Sequence, residues 1–265
     1  MRRFFALVFL SVTLSLGLSG SAFSQRAPRA EAFRLAAHQP GRTDVYILSF
    51  GLWGPQSVFE SEAKGAARIL EQQFASKGRT IVLSNTKRRS DATPAALVAA
   101  AQAAGKALDP DEDVLVLVLT SHGGPDGIGL ISRRDEGVVT PDHIRRLLEE
   151  TKARNRVVIV SACYSGIFAK ELADARTLVI TAAAADRPSF GCQDGAAWTY
   201  FGDAFFNKAL RSEPRLNAAF ERARQLVTTR ERREGFDPSN PQMAGGSEVL
   251  ERLRTRCVSL QQRAC

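Results

Sequence analysis

The residues in this chain best suited to chemistry are His122 and Cys163, because each stands just beyond an apolar run. Asp113-Val-Leu-Val-Leu-Val-Leu119 leads into Thr120-Ser-His122-Gly-Gly124, and Arg156-Val-Val-Ile-Val160 leads into Ser161-Ala-Cys163-Tyr-Ser-Gly166. A thiol attacks as thiolate, so it needs a neighbour that takes its proton. An imidazole can take that proton and later return it to a leaving amine. Gly123 leaves room for a close backbone N–H, which together with the Cys163 N–H would face a developing oxyanion. A helix beginning near Gly166 would turn its positive end towards the sulfur. The pair reads as the dyad of a cysteine hydrolase.

Both residues must then be carried to one place. The two runs lack polar alternation, as expected of central parallel strands buried on both faces. If they are neighbours, their carboxyl ends share the rim where active sites of open α/β sheets collect. The surrounding pattern fits. Val45 to Phe50, Thr80 to Leu83 and Thr177 to Thr181 read as further strands. Ser61 to Ser76 reads as a helix with Ala63, Ala66, Ala67, Leu70 and Phe74 on one face. Thr93-Pro94 and Thr140-Pro141 each offer a capping threonine followed by proline at the first helical position. Gly127–Ser132 and Gly137–Thr140 read as a hairpin, a short helix follows Gly166, and Tyr200–Leu210 and Arg215–Arg233 close the series as helices. Strands separated by helices imply a mostly parallel sheet with helices on both faces. Residues 25–41 and 247–265 lack the pattern and read as extended or loosely packed, leaving 42–246 as the domain.

The first residues read as a signal peptide, 1–24. Arg2 and Arg3 precede an apolar stretch from Phe4 to Leu18, and Ala22 and Ser24 suit cleavage before Gln25. An uncleaved anchor is the alternative, although the run is short for a membrane span. The expectation is a periplasmic or secreted protein with no integral membrane segment once the signal is removed. Cleavage lowers the formal net charge of +8 by two. Much of the remaining basicity is scattered over helices without aromatic partners, so no nucleic-acid site is expected.

Four cysteines in an exported chain raise the question of disulfides. Cys257 and Cys265 are each other's nearest partners and are expected to bridge; Cys192 joined to one of them is the alternative. No metal or organic cofactor is expected, since three histidines and four cysteines show no paired ligand spacing. Ser165 lacks a Gly-x-Ser-x-Gly elbow. The Gly124–Gly129 stretch is interrupted by proline and precedes a hairpin, which argues against a dinucleotide site. His143, in a first helical turn, and His38, before the first strand, read as structural or solvated.

These residues carry a resemblance to the bacterial branch of the legumain-type cysteine peptidases, the C13 family, which belongs with caspases and gingipains. It rests on Leu119-Thr-Ser-His122-Gly-Gly-Pro-Asp126, Val160-Ser-Ala-Cys163-Tyr-Ser-Gly166 and Thr181-Ala-Ala-Ala-Ala-Asp186-Arg-Pro-Ser-Phe-Gly-Cys192. Thr199-Tyr-Phe-Gly-Asp-Ala-Phe-Phe206 and Pro238-Ser-Asn-Pro-Gln242 also match. The resemblance implies a caspase-like three-layer α/β/α sandwich with a mostly parallel central sheet, a His122–Cys163 dyad and Gly123 as oxyanion donor. It implies peptide or protein substrates. Legumain-type enzymes prefer asparagine and usually carry glutamate two residues before the nucleophile, where this chain has Ser161. Ser161, Asp186 and Ser189 are the substrate-pocket candidates; for Asp186 the alternative is a surface turn with Arg187.

Three functions fit the sequence: an exported cysteine endopeptidase, a transpeptidase or transamidase of the same fold, and a non-catalytic peptide-binding module. Oligomeric state is not readable.

Overall fold

The computed structural model describes residues 29–259; the signal-peptide reading and the Cys257–Cys265 pairing fall outside them. Nine strands and eight helices follow in chain order: β1 (Val45–Gly51), α1 (Ser57–Gln73), β2 (Thr80–Ser84), α2 (Pro94–Ala107), β3 (Val114–Thr120), β4 (Gly123–Gly124), β5 (Gly127–Ile131), β6 (Glu136–Val139), α3 (Pro141–Thr151), β7 (Asn155–Ser161), α4 (Gly166–Leu172), β8 (Thr177–Thr181), α5 (Tyr200–Gly202), α6 (Leu210–Ser212), α7 (Leu216–Glu234), β9 (Gln242–Gly245) and α8 (Ser247–Ser259). A π-helical stretch, Asp203–Ala209, joins α5 to α6.

The main sheet has six strands in the order β2-β1-β3-β7-β8-β9. The first five run parallel, and β9 closes one edge antiparallel to β8. Alternation along β3 sorts its residues between two cores. Leu115, Leu117 and Leu119 pack with α2, α3 and α4, while Val114, Val116 and Val118 pack with α1, α7 and α8. The result is a three-layer sandwich whose central strands are buried throughout. A second sheet, β4-β5-β6, is an antiparallel meander beyond the rim. It is tied back by a bridge between Trp53 and Ile131.

Local chemistry explains several boundaries. Thr93 and Thr140 cap α2 and α3, accepting from Ala96 and His143 N–H, with proline next in each. His143 completes the second cap by accepting from the Thr140 N–H at 3.2 Å. That is a structural role for this histidine. Helix α1 starts at Ser57, earlier than its apolar periodicity indicates, because a distant side chain supplies its cap. Asp194 Oδ1 accepts from the Ser57 N–H and hydroxyl at 2.8 and 2.9 Å.

The C-terminal region departs from the sequence reading. Residues 247–259 form a packed helix, with Val249 and Leu253 buried in the α1/α7 core. Buried Arg256 donates to the Thr43 carbonyl at 2.7 Å and to the Phe74 carbonyl, fastening α8 to the amino end of β1 and the carboxyl end of α1. The domain therefore runs past residue 246. Among the described residues no helix is long and apolar enough to cross a membrane.

Leu253, 7% exposed, tests this assignment. Leu253→Ala is expected to lower unfolding free energy by about 2–4 kcal/mol in urea denaturation. An unchanged denaturation midpoint would instead mean a loose tail.

Candidate active site

Strand pairing carries His122 and Cys163 to the same rim. β3 and β7 are adjacent and parallel, with Thr120 opposite Ser161. His122 and Cys163 thus stand two residues beyond matched positions on the same rim. The pairing continues past the strands through a Ser121 N–H bond to the Ser161 carbonyl at 3.2 Å. The chains then converge so closely that a methyl on Gly123 would lie 2.0 Å from the Cys163 carbonyl oxygen. Only glycine fits there.

Just after Cys163, Tyr164 has a φ of +55°. This left-handed backbone is uncommon for a residue with a side chain. It turns the chain sharply from β7 towards α4 and leaves Cys163 at the bend. The Tyr164 N–H is tied to the Arg187 carbonyl at 2.8 Å. Among the described residues nothing accepts from the Cys163 N–H. Helix α4 has only seven residues, so its terminal partial charge is a small influence on the sulfur.

His122 is half-buried between two aromatic edges. The Trp53 and Phe59 rings meet it edge-on, with centroids 4.8 and 5.0 Å away. Burial holds its pKa below the ordinary 6.5 and favours the neutral ring. Its Nε2 is bonded to Gln56 Oε1. The orientation of that amide is fixed independently, because Gln56 Nε2 donates to the Cys192 carbonyl at 2.7 Å. An oxygen acceptor facing Nε2 requires the proton on Nε2, leaving the Nδ1 lone pair free. Gln56 carries no motif, and sequence reasoning missed it.

The loop between β8 and α5 forms the other wall. Cys163 Sγ accepts from the Ser189 N–H at 3.2 Å and donates to the Ser189 carbonyl at 3.3 Å, with Ser189 Oγ 3.8 Å away. Of the pocket candidates, Ser189 is therefore beside the sulfur. Ser161 is not on the open face. It is 1% exposed, and its hydroxyl lies 3.1 Å from that of Thr199, because the alternation of β7 turns it into the interior. The Asp186 side chain is 80% exposed and 3.8 Å from Arg187, the surface-turn arrangement. Ser165 is buried and accepts from the Ala183 N–H at 3.1 Å, a structural bond.

Cys192 is close enough for Cys163 to influence it electrostatically. Burial, with a smaller contribution from Cys163, pushes its thiol up to about 12, so it stays protonated. Both cysteines are free. Asp194 bonds α1 as described and pairs with Lys87 at 2.7 Å; these contacts hold its carboxyl well below the usual range.

Comparison with known proteins bears on the fold and the family. The crystal structure of caspase-1 from Spodoptera frugiperda is similar in fold, with a TM-score of 0.51 at 12% identity. The match covers 80% of this chain and 89% of the caspase chain. The fold is thus a caspase-like α/β sandwich. No curated protein matches the sequence. The model of the peptidase C13 family matches residues 95–249, more than half of the chain and the stretch holding His122, Cys163 and Ser189. The chain belongs to the peptidase C13 family.

Proposed function

We propose that this protein is an exported cysteine endopeptidase in which Cys163 is the nucleophile and His122 the general base and acid. The observation that carries the reading is the in-register pairing of β3 with β7, Thr120 opposite Ser161, which sets both residues at one rim. Membership of the C13 family supports a cysteine peptidase in general. Export is read from the basic and apolar opening of the sequence.

The reaction follows from the atoms available. His122 Nδ1 takes the Cys163 proton, and the sulfur attacks the scissile carbonyl carbon as the C=O π pair moves to oxygen. The Cys163 N–H and the backbone at Gly123 face that oxyanion. The imidazolium returns the proton to the leaving amine, the C–N bond breaks and a thioester remains. Water, deprotonated by the same imidazole, attacks the thioester and releases the acid and the thiol. Gln56 accepts from Nε2–H throughout, keeping the ring in the tautomer whose Nδ1 is basic. Ser189 N–H is placed to hold a negative sulfur.

The first test exposes the chain lacking residues 1–24 to a diverse peptide library under reducing conditions, with products read by mass spectrometry. Cleavage that vanishes in Cys163→Ala, and drops at least ~100-fold in His122→Ala, is the expected result. Cleavage persisting in Cys163→Ala would overturn the mechanism. Ligated products would indicate transfer to an amine. An inert protein unlabelled by electrophilic peptides would indicate a binding module.

A second test uses pH. Protonation of His122 removes the base, so kcat/KM is expected to fall on acidification with a midpoint below 6.5, the ordinary histidine value. In Gln56→Glu, a carboxylate beside Nε2 stabilises the imidazolium, which moves that limb to higher pH. In Gln56→Ala the limb persists but kcat falls about 10- to 100-fold, because the ring loses its orientation. A pH profile identical in all three proteins would exclude the Gln56–His122 contact from the mechanism.

A further inference from the structure

Beneath the rim lies an acid that the mechanism above does not use. Glu62 is 0% exposed and stands on the apolar face of α1 among Phe59, Ala63 and Ala66. Its Oε1 accepts from the Thr120 hydroxyl at 2.8 Å, and its Oε2 accepts from the Thr199 N–H at 2.8 Å. The Thr199 hydroxyl accepts from the Gly202 N–H at 2.9 Å and meets the Ser161 hydroxyl at 3.1 Å. A methyl on Gly202 would sit 1.9 Å from Glu62 Oε2, so glycine makes the space the carboxyl occupies.

These contacts join three segments of the proposed active site. Thr120 is two residues before His122, and Ser161 is two residues before Cys163. Thr199 ends the loop that carries Ser189. No described lysine or arginine pairs with the carboxyl. An acid buried without a cation costs stability that an apolar side chain of similar size would not. Burial pushes its pKa up, against the effect of the Ser161, Thr199 and Thr120 contacts. Both carboxyl oxygens are thus engaged as acceptors, and the side chain is a hydrogen-bonding hub whose geometry glutamine can also fill. Its amide oxygen would accept from the Thr199 N–H and its amide nitrogen would donate to the Thr120 hydroxyl.

We infer that Glu62 is a positioning residue: it locks the strand ends behind His122 and Cys163, and the loop at the sulfur, into one reactive arrangement. This rests on the dyad proposed above.

The test compares wild type, Glu62→Gln, Glu62→Leu and Thr120→Val, each shown to be folded by near-UV circular dichroism and assayed well below its melting temperature. Two quantities are read: kcat and KM on a peptide that wild type cleaves, and the rate of iodoacetamide alkylation of Cys163 at pH 7, located by peptide mapping. In Glu62→Leu, both kcat and alkylation are expected to fall ~10-fold or more with KM changed less than about threefold. Glu62→Gln restores both to within about threefold of wild type, and Thr120→Val lies between. A folded Glu62→Leu with wild-type kcat and alkylation overturns the inference, as does a Glu62→Gln no better than Glu62→Leu. Should Glu62→Leu fail to fold, wild-type alkylation in Thr120→Val overturns it. The dyad is checked separately: if His122→Ala leaves wild-type alkylation unchanged, the dyad itself falls, and the role of Glu62 with it.

Discussion

Parallel pairing of β3 with β7 is the constraint on which the rest of this molecule depends. A shift of one residue in that register would turn every side chain of one strand to the opposite face. Leucines would then meet the α1/α7 core in place of valines, and His122 and Cys163 would no longer stand level. Packing on the two faces of β3 therefore guards the register. The chemistry proposed for the rim would rely on a core that contains none of the atoms proposed to react.

A second organiser is the start of α1. Within seven residues it uses Gln56 to orient His122 and hold the Cys192 carbonyl, Ser57 to engage Asp194, and Glu62 to hold Thr120 and Thr199. Each contact reaches either the end of a central strand or the loop before α5. That loop contains neither helix nor strand, so contacts from α1, together with the Tyr164–Arg187 bond, hold its shape beside the sulfur. Strand ends carry the proposed dyad to one rim, and the start of α1 holds His122 and the loop beside Cys163.

Much of this was legible in the sequence, for physical reasons that differ by element. The central strands are continuous apolar runs, and α2 and α3 begin with local Thr-Pro caps. His122 and Cys163 follow buried runs directly, so the pairing of β3 with β7 carries them to one rim. What escaped notice depends on partners far along the chain. Gln56 is a poor cap by composition, and Asp194, which caps α1, is 137 positions from Ser57. β9 has the unremarkable sequence Gln-Met-Ala-Gly and is a strand because β8 offers it an edge. Among its described side chains, α8 buries a narrow stripe, Val249, Leu253 and Arg256, beneath a charged exterior. Glu62 did leave a trace: an acid within an apolar helical stripe signals a polar partner in the interior. Ser161 misled because its neighbour Cys163 lies at the rim, while strand alternation places its own hydroxyl below.

Closure of the sheet by β9 bears on how the chain is made. Synthesis proceeds from the amino end, so β8 emerges with one row of backbone N–H and C=O groups bare. Some sixty residues separate β8 from the segment that covers it. Until β9 docks and α8 clips down beside β1, a nascent or prematurely ended chain presents an apolar strand edge open to a second copy. This later-made piece, remote from the residues proposed to react, thus guards the earlier strands against association with their own kind.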